Sequence, residues 1–457
     1  MKISLPTVHP QWCRAERILQ EVSDTDESSI SGEDFGDFIF SMHELFSDRS
    51  SGRKFEAIPS MLSALPRDVA EQFLHVSFPR MCRDIASELS SRSDPVQASI
   101  PCLSCSEATS ITFSPGQAYV LLGLSFFCIP LIIDGDTRVS MDATCHLLFS
   151  DQPKIVSKLH CLVNYFNVVV AARSGQFPTD VVDAIIGDHR SITLERLVSS
   201  DYHGAEWWSY SSCALTSVEY RGNFQRIESA IDEVHADFAN KHLGGGVLRK
   251  GCVQEEIRFM VSPECLLAVF LCEGMNDNEA VMVRETIQFN AYSGYGSSFR
   301  CLGLSTNLLS LFDGESQTLL IDDVLCFDAI PFGPETQKQF RLPFILRELE
   351  KCRAALGYEG HKPFATGNWG CGVFGGDTQL KAVIQWLAAS VNNKLITYFP
   401  FEDDYTKRLP ELAQKAAAHN LTVGWIFQNI LRGLVTEEIR SSSTIDFLLK
   451  QVDGITG

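Results

Sequence analysis

Two adjacent carboxylates lie close in the chain to a run of three glycines: Gly244-Gly245-Gly246 precedes Gln254-Glu255-Glu256 by seven residues. Glycine lets the backbone turn its N–H groups toward a ligand where a Cβ would obstruct, so the run can form a nest for phosphate oxygens. A carboxyl group beside it can give or take a proton. Just upstream, Val234-His235-Ala236-Asp237-Phe238-Ala239-Asn240 reads as a strand that delivers Asp237 and Asn240 to the mouth of the same loop. The chemistry such a set suits is proton transfer at a linkage next to a phosphate group.

A second glycine-rich stretch runs Ala365-Thr366-Gly367-Asn368-Trp369-Gly370-Cys371-Gly372-Val373-Phe374-Gly375-Gly376-Asp377. Gly370, Gly372 and Gly375 satisfy G-x-G-x-x-G ahead of a capped helix, so a dinucleotide-binding fold has to be weighed. The acidic residue expected about twenty positions on is missing, with Glu402 and Asp403 too far along. What remains is glycine before a helix N-terminus, which holds phosphate in many folds. Glu255 and Glu256 also have a plain structural reading, because acidic side chains stabilise a first helical turn through its dipole. Neighbouring positions point about 100° apart on a helix, so the two cannot do the same job.

The elements that must position these residues change in texture near residue 200. Upstream the chain reads mainly helical. Pro66 opens a helix through Ala70, Phe73 and Leu74, and Ser114-Pro115-Gly116-Gln117 has the form of a capping box. The apolar run Ala118 to Ile133 reads as a buried helix, and Leu159 to Ala172 as a helix or a buried strand. Downstream, short β-branched or aromatic runs alternate with helical stretches: Val234–Ala239, Ala280–Arg284, Thr318–Leu320, Val324–Ala329 and Leu395–Phe401 are the expected strands. The map is an acidic, solvated and mobile segment over residues 1–40, a helical accessory domain over 41–200 and an α/β catalytic domain over 201–457, with a mixed sheet flanked by helices.

Composition bounds the function. At 457 residues, 45% hydrophobic and 21% charged, the chain is of the globular class. A net charge of −19 argues against direct nucleic-acid binding, which relies on basic patches. Fifteen scattered cysteines do not make a disulfide scaffold, which points to a reducing compartment and leaves nucleus and cytoplasm both open. Cys102 and Cys105 have the spacing of a metal pair without the further ligands, so no metal is expected. No basic and apolar leader opens the chain, and Ser125 and Pro130 break the longest apolar run short of the ~20 residues of a membrane span, so no membrane partner is expected.

Asp237-Phe238-Ala239-Asn240, the triple glycine and Gln254-Glu255-Glu256 together resemble the signature of the poly(ADP-ribose) glycohydrolase family. The stretch Ala365 to Asp377 resembles that family's other phosphate-side loop almost letter for letter, and Ala291-Tyr292-Ser293-Gly294-Tyr295 sits where the family places a tyrosine over the ligand. Leu248-Arg249-Lys250 departs from the smaller residues of the family. The resemblance implies a macrodomain that hydrolyses ribose–ribose O-glycosidic bonds of protein-attached poly(ADP-ribose), releasing ADP-ribose, as a monomer without cofactor. It makes Glu256 the acid, Glu255 the residue that orients ribose hydroxyls, and Asp237 the third member of an acidic trio. Asn240 becomes a ribose partner, where a strand-end cap is the alternative. Gly244, Gly245, Gly246, Gln254, Gly372, Val373 and Gly375 line the ligand on its phosphate side, Tyr295 covers it, Phe374 sets the ribose from an exposed position, and Ile227, Glu228 and Phe401 stand on the adenine side. The rivals are a macrodomain that binds ADP-ribose without cutting and a nicotinamide-dependent oxidoreductase.

Overall fold

Helices begin where side chains satisfy free backbone N–H groups. Ser114 Oγ accepts the Gln117 N–H at 3.2 Å while Gln117 Oε1 accepts the Ser114 N–H at 3.0 Å, which starts the helix Pro115–Phe126 as expected. Asp377 likewise accepts the Leu380 N–H at 2.8 Å and starts Thr378–Val391. These elements belong to a computed structural model that describes residues 2–46, 55–90, 99–133, 147–222, 225–315, 318–401, 404–441 and 443–455. The expected Ala118–Ile133 helix stops at Phe126, short of Pro130, and Ile132–Ile133 pairs as a short strand instead. The ambiguous Leu159–Ala172 stretch is helical within Pro153–Arg173. That helix is long and apolar enough to cross a membrane, yet 89% of the apolar stretch is buried inside the protein, as in a core helix.

An eight-stranded sheet runs in the order Thr109–Phe113, Ile192–Val198, Glu279–Thr286, Asp322–Cys326, Val234–Asp237, Phe364–Gly367, Ile396–Phe399 and Val218–Tyr220. The last five are parallel to one another, and the first three add an antiparallel edge. Thr318–Leu320 is not a strand, and the expected Val324–Ala329 strand runs earlier, over Asp322–Cys326. Two of its strands, Thr109–Phe113 at the edge and Ile192–Val198 beside it, come from before residue 200, so the sheet does not respect the boundary drawn there. The Val234–Asp237 strand lies in the parallel region, buried along its whole length, which fixes Asp237 at its C-terminal end. Ligands of open α/β sheets bind at that end of the strands.

Residues 1–40 are not a solvated, mobile segment. They form the helix Trp12–Ser23 and most of Gly32–Phe46, and Phe35, Phe38, Ile39 and Met42 are buried. Those four follow the i, i+3, i+4, i+7 spacing of one helical face. Glu33 and Asp34 sit in the first turn, where the dipole favours them. Phe35 meets Phe73 and Phe78 edge-on at 5.2 and 4.8 Å. The same core continues through Leu159 and Leu162 to Leu243, Val247, Leu248, Ile257 and Phe259, so the helical part and the segment bearing the glutamates share one packed interior.

Candidate active site

The triple glycine does not form the expected phosphate nest, because its N–H groups point elsewhere. Gly244 N–H donates to Glu255 Oε1 at 2.6 Å, Gly246 N–H donates to Glu256 Oε1 at 2.9 Å, and Gly245 N–H reaches the His242 carbonyl at 3.3 Å. Glu255 Oε2 also accepts the Asn240 N–H at 3.0 Å, and Glu256 Oε2 the Val253 N–H at 2.7 Å. The loop therefore cradles carboxylates. Gly245 is exposed and has φ +48°; a Cβ there would lie 2.7 Å from Glu255 Oε2 and 2.9 Å from Glu256 Oε1. Gly245→Val is accordingly expected to damage cleavage before it damages nucleotide binding, and calorimetry showing the reverse would return the loop to the phosphate.

Both glutamates start the helix Gln254–Val261, whose residues from Glu255 to Val261 are all buried. Gln254 ties this helix to the sheet: its Nε2 donates to the Ala236 carbonyl at 3.0 Å and its Oε1 accepts the Phe238 N–H at 2.7 Å. From the other flank, Arg258 pairs with Asp322 at 2.8 Å.

Asp237 is fully buried, and among the described residues no nitrogen or hydroxyl donor reaches either of its carboxylate oxygens. Burial pushes it up to about 8, although the Cys326 thiol and Arg258 favour the charged form. Burial, followed by the Asp237 carboxylate, also holds Glu255 well above the usual carboxylate range, against the N–H groups of Asn240 and Gly244. The raised proton affinity expected of the site thus falls on Glu255 and Asp237. Because the folded value of Asp237 lies above its ordinary one, folding binds a proton between about pH 4 and pH 8, and the stability from this group is lost as pH rises through that window. Asp237→Asn removes that charge. Its melting temperature should gain on the parent as pH rises, whereas a pH-independent difference would count against a buried titrating acid.

Next to the glutamate helix opens a cavity of about 430 Å³ lined by Arg226, Ile227, Glu228, Val253, Gln254, Ile257, Tyr292, Tyr295, Gly372, Val373, Phe374, Phe399 and Phe401, among others. It gathers both ends of the expected ligand path. Gly375, Asn240, the triple glycine and the three carboxylates stand outside its lining. Asn240 instead borders a second cavity that shares Phe374 with the first. Phe374 is half-buried against the core, not exposed; the exposed residues of that loop are Gly372 and Val373, the latter at 77%. The Tyr295 ring stands 5.1 Å from that of Phe401, closing one side of the cavity. Between the strand Phe364–Gly367 and the helix Thr378–Val391, Gly370 and Gly375 adopt positive φ, and the Gly376 and Gly375 N–H groups donate back to the Gly370 and Gly372 carbonyls at 2.9 and 3.0 Å. Among the described residues, the N–H groups of Gly372, Val373 and Phe374 have no backbone acceptor, as the donors of an anion nest would have none.

The sequence reading missed three contributors. Arg226 lies over the Tyr292 ring at 4.2 Å, and the Tyr292 hydroxyl donates to Glu228 Oε1 at 3.4 Å, which braces the Ile227–Glu228 wall. Lys158, far upstream, donates to the carbonyls of Gly246, Val247 and Arg249 at 3.3, 2.6 and 2.9 Å. Its only signal in sequence is a lysine standing inside an apolar run.

Residues 205–408 match the family model described as poly(ADP-ribose) glycohydrolase, macro domain fold, and residues 65–185 match the helical domain of the same family. Poly(ADP-ribose) glycohydrolase 1 of Arabidopsis thaliana is 27% identical over 472 residues, which cover 86% of this chain and 80% of the relative. Poly(ADP-ribose) glycohydrolase 1 of Caenorhabditis elegans is 30% identical over 338 residues, 71% of this chain and 40% of the relative. Poly(ADP-ribose) glycohydrolase 2 of Caenorhabditis elegans is 32% identical over 312 residues, 62% of this chain and 60% of the relative. The chain thus spans most of the plant relative and under two thirds of either nematode one.

Proposed function

Because the chain belongs to the poly(ADP-ribose) glycohydrolase family, we propose that it hydrolyses the ribose–ribose O-glycosidic bonds of poly(ADP-ribose) and releases ADP-ribose. The observation that carries the reading is the pair of glutamates held by glycine-loop N–H groups beside an aromatic cavity that ends in an open N–H nest. In this reading the diphosphate lies on Gly372, Val373 and Phe374, the adenine lies toward Ile227, Glu228 and Phe401, and Tyr295 covers the nucleotide. Glu255 orients the ribose hydroxyls. Glu256 donates its proton to the departing ribose oxygen as the anomeric carbon gains oxocarbenium character. The electrons of the broken C–O bond leave with that oxygen, and the Glu256 carboxylate takes the proton back from the water that adds to the anomeric carbon. The Gly246 and Val253 N–H groups already point at the oxygens on which charge develops, so no donor has to reorganise during the step.

The glycine motif Gly370–Gly375 does sit between a strand and a helix, and the next strand, Ile396–Phe399, is parallel to the first, as in a dinucleotide-binding unit. Glu402 and Asp403 fall outside the described residues. Family membership favours the glycohydrolase over this oxidoreductase reading. The purified protein incubated with poly(ADP-ribose) should yield ADP-ribose in resolved products. Polymer that is bound and left intact would make the protein a reader, and oxidation or reduction of a nicotinamide cofactor would overturn both.

A further inference from the structure

We propose that Lys158, contributed by the helical part, is a positioning residue for the Glu256 carboxylate. Its side chain is fully buried, and its Nζ reaches three main-chain oxygens, those of Gly246, Val247 and Arg249, with no ion pair among the described residues. An ammonium group has three donors, so these three bonds use all of them. Burying a cation with no ion pair in contact is unfavourable, and burial pulls this lysine down to about 8 against the attraction of Cys252 and Glu256. Packing alone would select a methionine or leucine in a helix whose neighbours Leu159, Leu162 and Val163 are apolar and buried. The lysine is explained by what it holds.

The three carbonyls belong to the loop that bends around Glu256. Gly246 turns its carbonyl to Lys158 and its N–H to Glu256 Oε1, so one residue joins the two side chains through its own backbone. The loop then closes on itself, with the Gly251 N–H donating to the Gly246 carbonyl at 3.1 Å, and a Cβ at Gly251 would lie 2.5 Å from Glu256 Oε1. One turn earlier on the same helix, Lys154 donates to the Lys250 carbonyl at 2.7 Å. The helix therefore grips both ends of the Gly246–Lys250 segment, and the bulky Leu248-Arg249-Lys250 sequence is accommodated because its backbone is held. Lys158 touches no substrate in this arrangement. It acts by keeping the Gly246 N–H aimed at Glu256, and its charge lies on the side where the carboxylate forms once the proton has left.

The inference rests on the glycohydrolase reading, and the parent protein is the arm that separates the two. In Lys158→Met, kcat for polymer cleavage is expected to fall about 10–100-fold, the scale of a misplaced catalytic group, while ADP-ribose affinity stays within about twofold because the nucleotide cavity is built elsewhere. Should the methionine variant fail to fold, Lys158→Gln, which keeps a donor in similar volume, is read on the same split. Parental kcat in either folded variant overturns the proposal, as does a loss of affinity in step with kcat. If neither variant folds, Lys158 is a folding determinant and the proposal falls. A parent that binds ADP-ribose and leaves the polymer intact rejects the glycohydrolase reading and this inference with it.

Discussion

Glu256→Gln is expected to bind ADP-ribose near the parental affinity and to cleave the polymer about 10²-fold or more slowly, the usual scale of general acid catalysis. The amide keeps the size of the side chain and one oxygen to accept the Gly246 N–H, but it has no proton to give the leaving oxygen. Its NH₂ group faces the Val253 N–H, so a stability loss of about 1–3 kcal/mol accompanies the change. Glu255→Gln should behave differently. Glu255 binds two N–H groups and is assigned to ribose hydroxyls that are present before the bond breaks, so affinity and rate should fall together. A purely helix-stabilising pair predicts only a few tenths to ~1 kcal/mol of stability and little change in rate for either. Melting temperature, affinity and cleavage measured on both variants separate these outcomes, and near-parental cleavage by Glu256→Gln rejects the mechanism.

Removing the first 40 residues is expected to prevent stable folding. The cut deletes Trp12, Leu19, Phe35, Phe38 and Ile39 from a continuous core. A single change such as Phe35→Ala should cost about 3–5 kcal/mol. Whole domains are stable by only about 5–15 kcal/mol, so losing the set exceeds what remains. Soluble, cooperatively melting and active protein lacking these residues would refute the prediction.

Local rules that depend on a few neighbouring residues were legible. The Ser114 and Asp377 caps and the start of the strand at Val234 follow from side-chain type and spacing and stand where the chain predicts, while that strand ends at Asp237, two residues short of the expected Ala239. The N-terminal segment was misread because its acidic and serine content is counted by average, whereas folding reads the face formed by Phe35, Phe38, Ile39 and Met42. The destination of the Gly244 and Gly246 N–H groups was illegible for another reason: a glycine fixes only that the backbone can turn, not what it turns toward. Asp237 was grouped with residues that meet the ligand, yet it is fully buried at the end of a buried strand, a matter of depth that no spacing encodes. Lys158 was invisible because its partners lie about ninety residues downstream.

The strand that carries Asp237 pairs on one side with Phe364–Gly367, about 130 residues further along the chain. During synthesis at about 5–20 residues per second, that partner emerges on the order of ten seconds after the strand itself. Until then the nascent chain carries an unpaired strand edge on the Phe364 side of the Asp237 strand. The candidate site of this protein is therefore a late product of translation: every chain that ends before Phe364 already contains Asp237, Glu255 and Glu256 and still lacks a strand on which their setting depends.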